Sequence, residues 1–204
     1  MRSKKLLALS ASVFLLSACG GGGGSGGGGA TPVTSSTGVF QDSVVGGLHY
    51  ETATRSGTTN ALGEYDYLPG ETVTFSIGGN VLGSAAAGPV VTPLSLVSGA
   101  ADATDPVVTN IVRLLLTLDD DGDPSNGINI PAATATAAAS LTVDFSVPDI
   151  STEAGVSTLL AAIPSTPVLA DSATAQTHFA ATLAAQSDWG ALAWGTGTWK
   201  SAVQ

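Results

Sequence analysis

Over residues 38–97 apolar and polar positions alternate in short runs broken by Gly, Asn and Pro. In TVTFSI, Val73, Phe75 and Ile77 take one face while Thr72, Thr74 and Ser76 take the other, the period of a strand buried on one side. Gly78-Gly79-Asn80 follows and supplies the positive-φ residues of a tight hairpin. GVFQDSVV, GLHYETAT and GEYDYL share the β-branched and aromatic content and predict further strands. Beyond them the period changes. Asp105 precedes Pro106, and Val107, Val108, Ile111, Val112, Leu114, Leu115 and Leu118 make a broad apolar face, which predicts a capped core helix. Arg113, amid these residues, is expected to lay its stem along the apolar face and put its charge in water.

PAATATAAAS reads equally as helix or loop, whereas Leu141, Val143, Phe145 and Val147 alternate with polar residues and predict another strand. Helices are expected over 152–163 and 172–186; in the second, Ala175, Phe179, Leu183 and Gln186 share one face, with His178 beside it. The fold expected is α+β, an N-terminal antiparallel β-sandwich-like module followed by an α-rich segment. The boundaries are 1–19 for a signal segment, 20–37 for a tether, 38–100 for the β-rich module, 101–188 for the α-rich segment and 189–204 for a Trp/Gly-rich tail.

The first segment changes the picture most. Arg2, Lys4 and Lys5 precede an apolar run over residues 6–16 that is too short to span a bilayer and suits a secretory signal. Leu16-Ser17-Ala18-Cys19 then resembles the lipobox of bacterial lipoproteins. The resemblance implies that Cys19 is lipidated on its thiol and becomes the new first residue. Gly20 stands where inner-membrane members of that family carry Asp, which implies sorting to the outer membrane of a Gram-negative envelope. Cys19 is the single cysteine, so no intramolecular disulfide is available. The glycines that follow have no side chains to bury, and with residues 30–36 such a chain has a reach of about 20–25 Å.

Arg55, Arg113 and Lys200 are the basic residues beyond the signal, against sixteen acids. That balance argues against nucleic acid or an anionic lipid surface as a partner and favours cations. LDDDGDPSNGINI, at the end of the predicted core helix, is the stretch with candidate chemistry. Its carboxylates crowd the negative end of a helix, a conflict that a cation would relieve. Asp119, Asp121 and Asp123, with Asn126, have the alternating spacing of an oxygen-rich loop that wraps Ca²⁺. The loop departs from an EF-hand, with Pro124 where Gly belongs and Ile130 where the bidentate Glu belongs. The plainer alternative is a solvated turn bent by Asp-Gly and Asn-Gly.

His49 and His178 have no sequence neighbours that make a dyad or metal site, so each reads as structural. No G-x-S-x-G elbow, P-loop or dinucleotide fingerprint occurs. Trp189, Trp194 and Trp199 recur in a glycine-rich stretch, which favours a loop or strand-turn platform over a helix; such aromatics stack on sugar rings or partners, or else pack on the body as a terminal flap.

SGTTNALGEYDYLPGETVTFSIG resembles the carboxypeptidase-regulatory-like and related prealbumin-like β-sandwich modules of secreted proteins. Residues 38–97 are also similar to an N-terminal module that recurs in bacterial surface lipoproteins and adhesin-like proteins. These resemblances imply a spacer or binding module, and no functional residue is carried over from them. The expected function is a non-catalytic lipid-anchored envelope lipoprotein with a structural, adhesive or ligand-binding role, held to the membrane through its N-terminal lipid and facing an envelope protein or glycan. The alternatives are an anchored hydrolase whose site assembles only in three dimensions, and the N-terminal part of a longer surface protein.

Overall fold

The alternating segments before residue 98 form strands, and the segments with helical periodicity form helices. The computed structural model describes the backbone of residues 34–193 and side chains to Gln186. In chain order the elements are β1 (Ser36–Phe40), β2 (Val45–Gly46), β3 (His49–Glu51), β4 (Ser56–Thr58), β5 (Glu64–Tyr67), β6 (Thr72–Ile77), β7 (Asn80–Ala86) and β8 (Val90–Val91). They continue with α1 (Pro106–Leu118), β9 (Ile128–Asn129), α2 (Ala132–Ala138), α3 (Ala154–Ala162) and α4 (Ser172–Ala193). The protein is therefore α+β, strand-rich first and helical later. Among the described residues no helix is long and apolar enough to cross a membrane.

One sheet has the order β4-β3-β6-β7 and is antiparallel throughout. A second has the order β5-β1-β8, with β1 antiparallel to β5 and parallel to β8. The sheets meet through aromatic rings. Phe40 of β1 lies 4.6 Å, centroid to centroid, from Phe75 of β6, and Tyr65 of β5 meets Phe75 edge-on at 5.2 Å. As the alternation in TVTFSI predicts, Val73, Phe75 and Ile77 are buried. Gly78 and Gly79 turn the β6–β7 hairpin with φ of 55° and 94°. A bulge then interrupts that pair between Phe75 and Ser76. Gly83 sits there with φ 151°, and a Cβ on it would come 2.7 Å from Leu96 Cβ, so the position takes only glycine comfortably.

Asp105 caps α1 by accepting from the Val107 and Val108 N–H groups, with Pro106 in the first turn. The helix is buried nearly all round. Ile111, Leu114, Leu115 and Leu118 join the main core, while Val108 and Val112 join a smaller cluster with Ala103 and with Ala175 and Phe179 of α4. Strand and helical parts interlock, since β9 pairs in parallel with β2. The described residues 34–193 belong to one compact unit.

Three expectations are corrected. Arg113 does not reach water along its stem: it is 6 % exposed, its Nε donates to the Ala170 carbonyl at 2.7 Å and its Nη1 to Asp149 at 2.6 Å. Residues 141–147 form no strand, although Val143 and Phe145 are buried as the alternation requires. Their backbone is satisfied by side chains instead of a ladder: Val143 N–H donates to Asn80 Oδ1, and Asn110 Nδ2 donates to the carbonyls of Phe145 and Val147. Finally, Trp189 lies within α4, which runs through Gly190 despite its low helix propensity.

Candidate functional site

The turn Gln41-Asp42-Ser43-Val44 reverses the chain between β1 and β2, with Gln41 and Val44 bridged across it. Ser43 has a φ of 54°, a left-handed conformation that costs a non-glycine residue energy. Such a turn would ordinarily hold its polar side chains in water, yet Asp42 is 0 % exposed. His178 of α4 explains the difference. Its Nε2 lies 3.2 Å from Asp42 Oδ1, and its side chain is 18 % exposed. The contact lies within ion-pair distance and is ionic when the ring is protonated, and it is not a well-aligned hydrogen bond: among the described residues both Asp42 oxygens and His178 Nε2 are buried without a hydrogen-bond partner.

Burial pushes the Asp42 carboxyl above the usual carboxylate range, and the neighbouring imidazole pulls it partly back. The Asp42 carboxylate raises His178 above the ordinary imidazole value, with burial acting against it. His178 also lines an open cleft of about 450 Å³ together with Gln41, Ser43, Asp123, Ser125 and Thr182. The arrangement can hold a proton between a buried carboxyl and a partly buried imidazole, and it presents an imidazole backed by a carboxylate to a cleft of mixed polar and apolar lining.

The acidic loop is organised by its own turns. Asp119 caps the C-terminal end of α1, and its Oδ1 accepts from the Asn129 N–H at 2.9 Å. Asp120 accepts from Asn129 Nδ2, and Asp121 accepts from the Asp123 N–H and from Asn126 Nδ2 at 2.8 Å. Asp123 is turned to the N–H and hydroxyl of Ser125. Of the spaced set, Asp119 and Asp121 come together with Asp120, one oxygen from each lying within 4.8 Å of the others. Asp123 and Asn126 engage the turn. Burial raises Asp119, reinforced by the charges of Asp121 and Asp120 against the Asn129 bond, whereas the bonds from Asn126 and Asp123 lower Asp121.

His49 stands exposed on β3, opposite Thr58 and Ser76. Its shallow cleft of about 200 Å³ is lined by Gly47, Thr58, Gly78, Ile130, Ala132 and Ala135, with no carboxylate among them. Cys19, the residue 1–19 signal, most of the 20–37 tether, Trp194 and Trp199 lie outside the described residues, and of Trp189 only the backbone is described. Asp42 is the site residue that sequence reasoning missed. QDSV signals a turn and nothing more; its partner stands on a helix at the other end of the described chain. No family description, curated protein or solved structure matches the chain.

Proposed function

We propose that the protein is a lipid-anchored lipoprotein of the bacterial cell envelope with a structural, adhesive or ligand-binding role and no catalysis. Cys19 carries the lipid in the outer membrane, with the body on its periplasmic side or at the cell surface. The residue 20–29 glycine-rich run gives the α+β body reach toward an envelope protein or glycan. One observation carries this reading: a basic start, an apolar run, Leu16-Ser17-Ala18-Cys19 and a glycine run stand in that order ahead of the folded body. The test is incorporation of a labelled fatty acid followed by membrane fractionation. Wild type takes up label and sediments with the outer membrane, whereas Cys19→Ser remains an unlabelled, unprocessed precursor; equal labelling of the two rejects the anchor.

A second reading, an anchored hydrolase, is favoured by the His178–Asp42 pair, whose histidine lines one cleft with Ser43 and Ser125. A fluorophosphonate probe, which loses fluoride as it bonds to a nucleophilic serine, separates the readings. Labelling that disappears in both Ser43→Ala and His178→Gln supports the hydrolase, and an unlabelled native protein supports the binding role.

A further inference from the structure

Asp42 and Arg113 are the charged residues buried in the core among the described residues. Arg113 has Asp149 and a carbonyl, whereas neither Asp42 oxygen has a hydrogen bond. A carboxylate so placed needs an opposite charge or takes up a proton. The group that answers it is His178 Nε2, 3.2 Å away on α4. Among the described residues that helix also docks through an apolar contact, with Ala175 and Phe179 against Ala103, Val108 and Val112 and Leu183 packed beside them, and Gln176 donates a hydrogen bond to Thr109. The ion pair therefore ties α4 to the turn between β1 and β2.

We propose that Asp42 and His178 form a proton-dependent clasp: between them they keep one proton that holds α4 on the β1–β2 turn, and loss of that proton to solvent loosens the helix. Deprotonation leaves a wholly buried carboxylate facing a neutral ring, with no other partner among the described residues to stabilise it. Both groups shift in the required direction, Asp42 raised by burial and His178 raised by Asp42. Because both folded values lie above the unfolded ones, the docked form takes up protons. Docking is thus firmest below the ordinary imidazole value of about 6.5 and weakens as pH rises through the higher folded value of His178.

Among the described residues the surrounding charges do not supply a substitute. The β1–β2 turn carries no ionisable residue besides Asp42. On α1 and its cap, Arg113 is held by Asp149 and Asp105 accepts from its own helix. Asp171, just before α4, accepts from Thr174. Asp123, which lines the His178 cleft, is negative and favours the protonated ring.

Amide hydrogen exchange on the full chain at about pH 5.5 and about pH 8.5, either side of the usual imidazole value, tests the clasp after correction for intrinsic exchange. In the wild type the protection of α4 should fall on the order of tenfold more than that of β6. In Asp42→Asn the two elements should change together. If α4 and β6 also lose protection in parallel in the wild type, or if Asp42→Asn keeps the wild-type profile, the clasp is wrong. Should Asp42→Asn fail to fold, the imidazole titration of the wild type decides by nuclear magnetic resonance. A His178 midpoint clearly above about 6.5 supports the proposal, and one at or below it overturns it.

Discussion

In the strand half, Phe40, Tyr50, Tyr65, Tyr67 and Phe75 meet ring against ring between two sheets; in the helical half, connecting segments are caught by buried polar side chains. Asn80 donates to the carbonyls of Ile77 and Ala138 and accepts from the Val143 N–H. Asn110 donates to Phe145 and Val147 and accepts from the Ile150 N–H. Thr117 accepts from the Ala170 N–H, while Arg113 donates to the Ala170 carbonyl. The first mode is area-driven and non-directional. The second matches individual donors to acceptors, so it can hold irregular backbone inside a core without a ladder.

That contrast is open to direct attack. Phe75→Ala should have the largest effect, a loss of about 3–5 kcal/mol, because it opens a cavity where three strands pack and takes a ring partner from both Phe40 and Tyr65. Chemical denaturation should show one cooperative transition moved to lower denaturant. Asn110→Ala should cost less, about 2–3 kcal/mol, because it leaves two carbonyls and one N–H to find other partners. Its signature should be local: hydrogen exchange over residues 143–151 should rise before that of β6. Equal loss of protection everywhere would mean that the asparagine holds the whole core, and the distinction between the halves would fail.

A weaker probe is the Arg113–Asp149 pair. The guanidinium beside Asp149 lowers its carboxyl from 3.8 to about 2, with bonds from Ser151 adding to the effect. A folded value below the unfolded one gives stability that is present above the unfolded value and lost as pH falls through the folded one. Thermal unfolding of the wild type should therefore lose this contribution between about pH 4 and pH 2. In Asp149→Asn that part of the acid slope should be missing, so the difference between the two curves should shrink toward pH 2. Half of the Asp149 side chain is exposed, so solvent screens the pair and the change should be smaller than that of either core substitution.

The two modes of cohesion also decide what was legible in the sequence. Val73, Phe75 and Ile77, the Gly78-Gly79 turn and the Asp105-Pro106 start of α1 were all readable, because burial imposes a period and a cap imposes a residue type. The 141–147 segment misled for a physical reason: alternation reports which side chains are buried, and here those side chains are buried while side-chain amides take the place of a partner strand. Arg113 was read as reaching solvent because Asp149 lies far along the chain and its arrival is not encoded in any local pattern. Asp42 and His178 failed to register as a pair on the same ground. A buried asparagine or arginine inside an otherwise apolar helix was the available sign that a loop would be caught there.

The acidic loop lies between the two modes and offers the smallest and most diagnostic test. If its carboxylates serve as turn acceptors, Asp121→Ala removes the bonds from the Asp123 N–H and Asn126 Nδ2 and should lower the melting temperature slightly without calcium. If instead they are held together for a cation, the same substitution should relieve repulsion from Asp119 and Asp120 and be neutral or stabilising in calcium-free buffer. Calcium at 100 times its dissociation constant would then add about 2.7 kcal/mol to the wild type and nothing to the variant. The hydrogen bonds already made by Asp121 and Asp123 favour the first outcome, a small loss insensitive to millimolar calcium in calorimetry. A rise of several degrees with calcium, abolished by Asp121→Ala, would show that the loop is organised by an ion, and a third mode of cohesion would have to be added to the two.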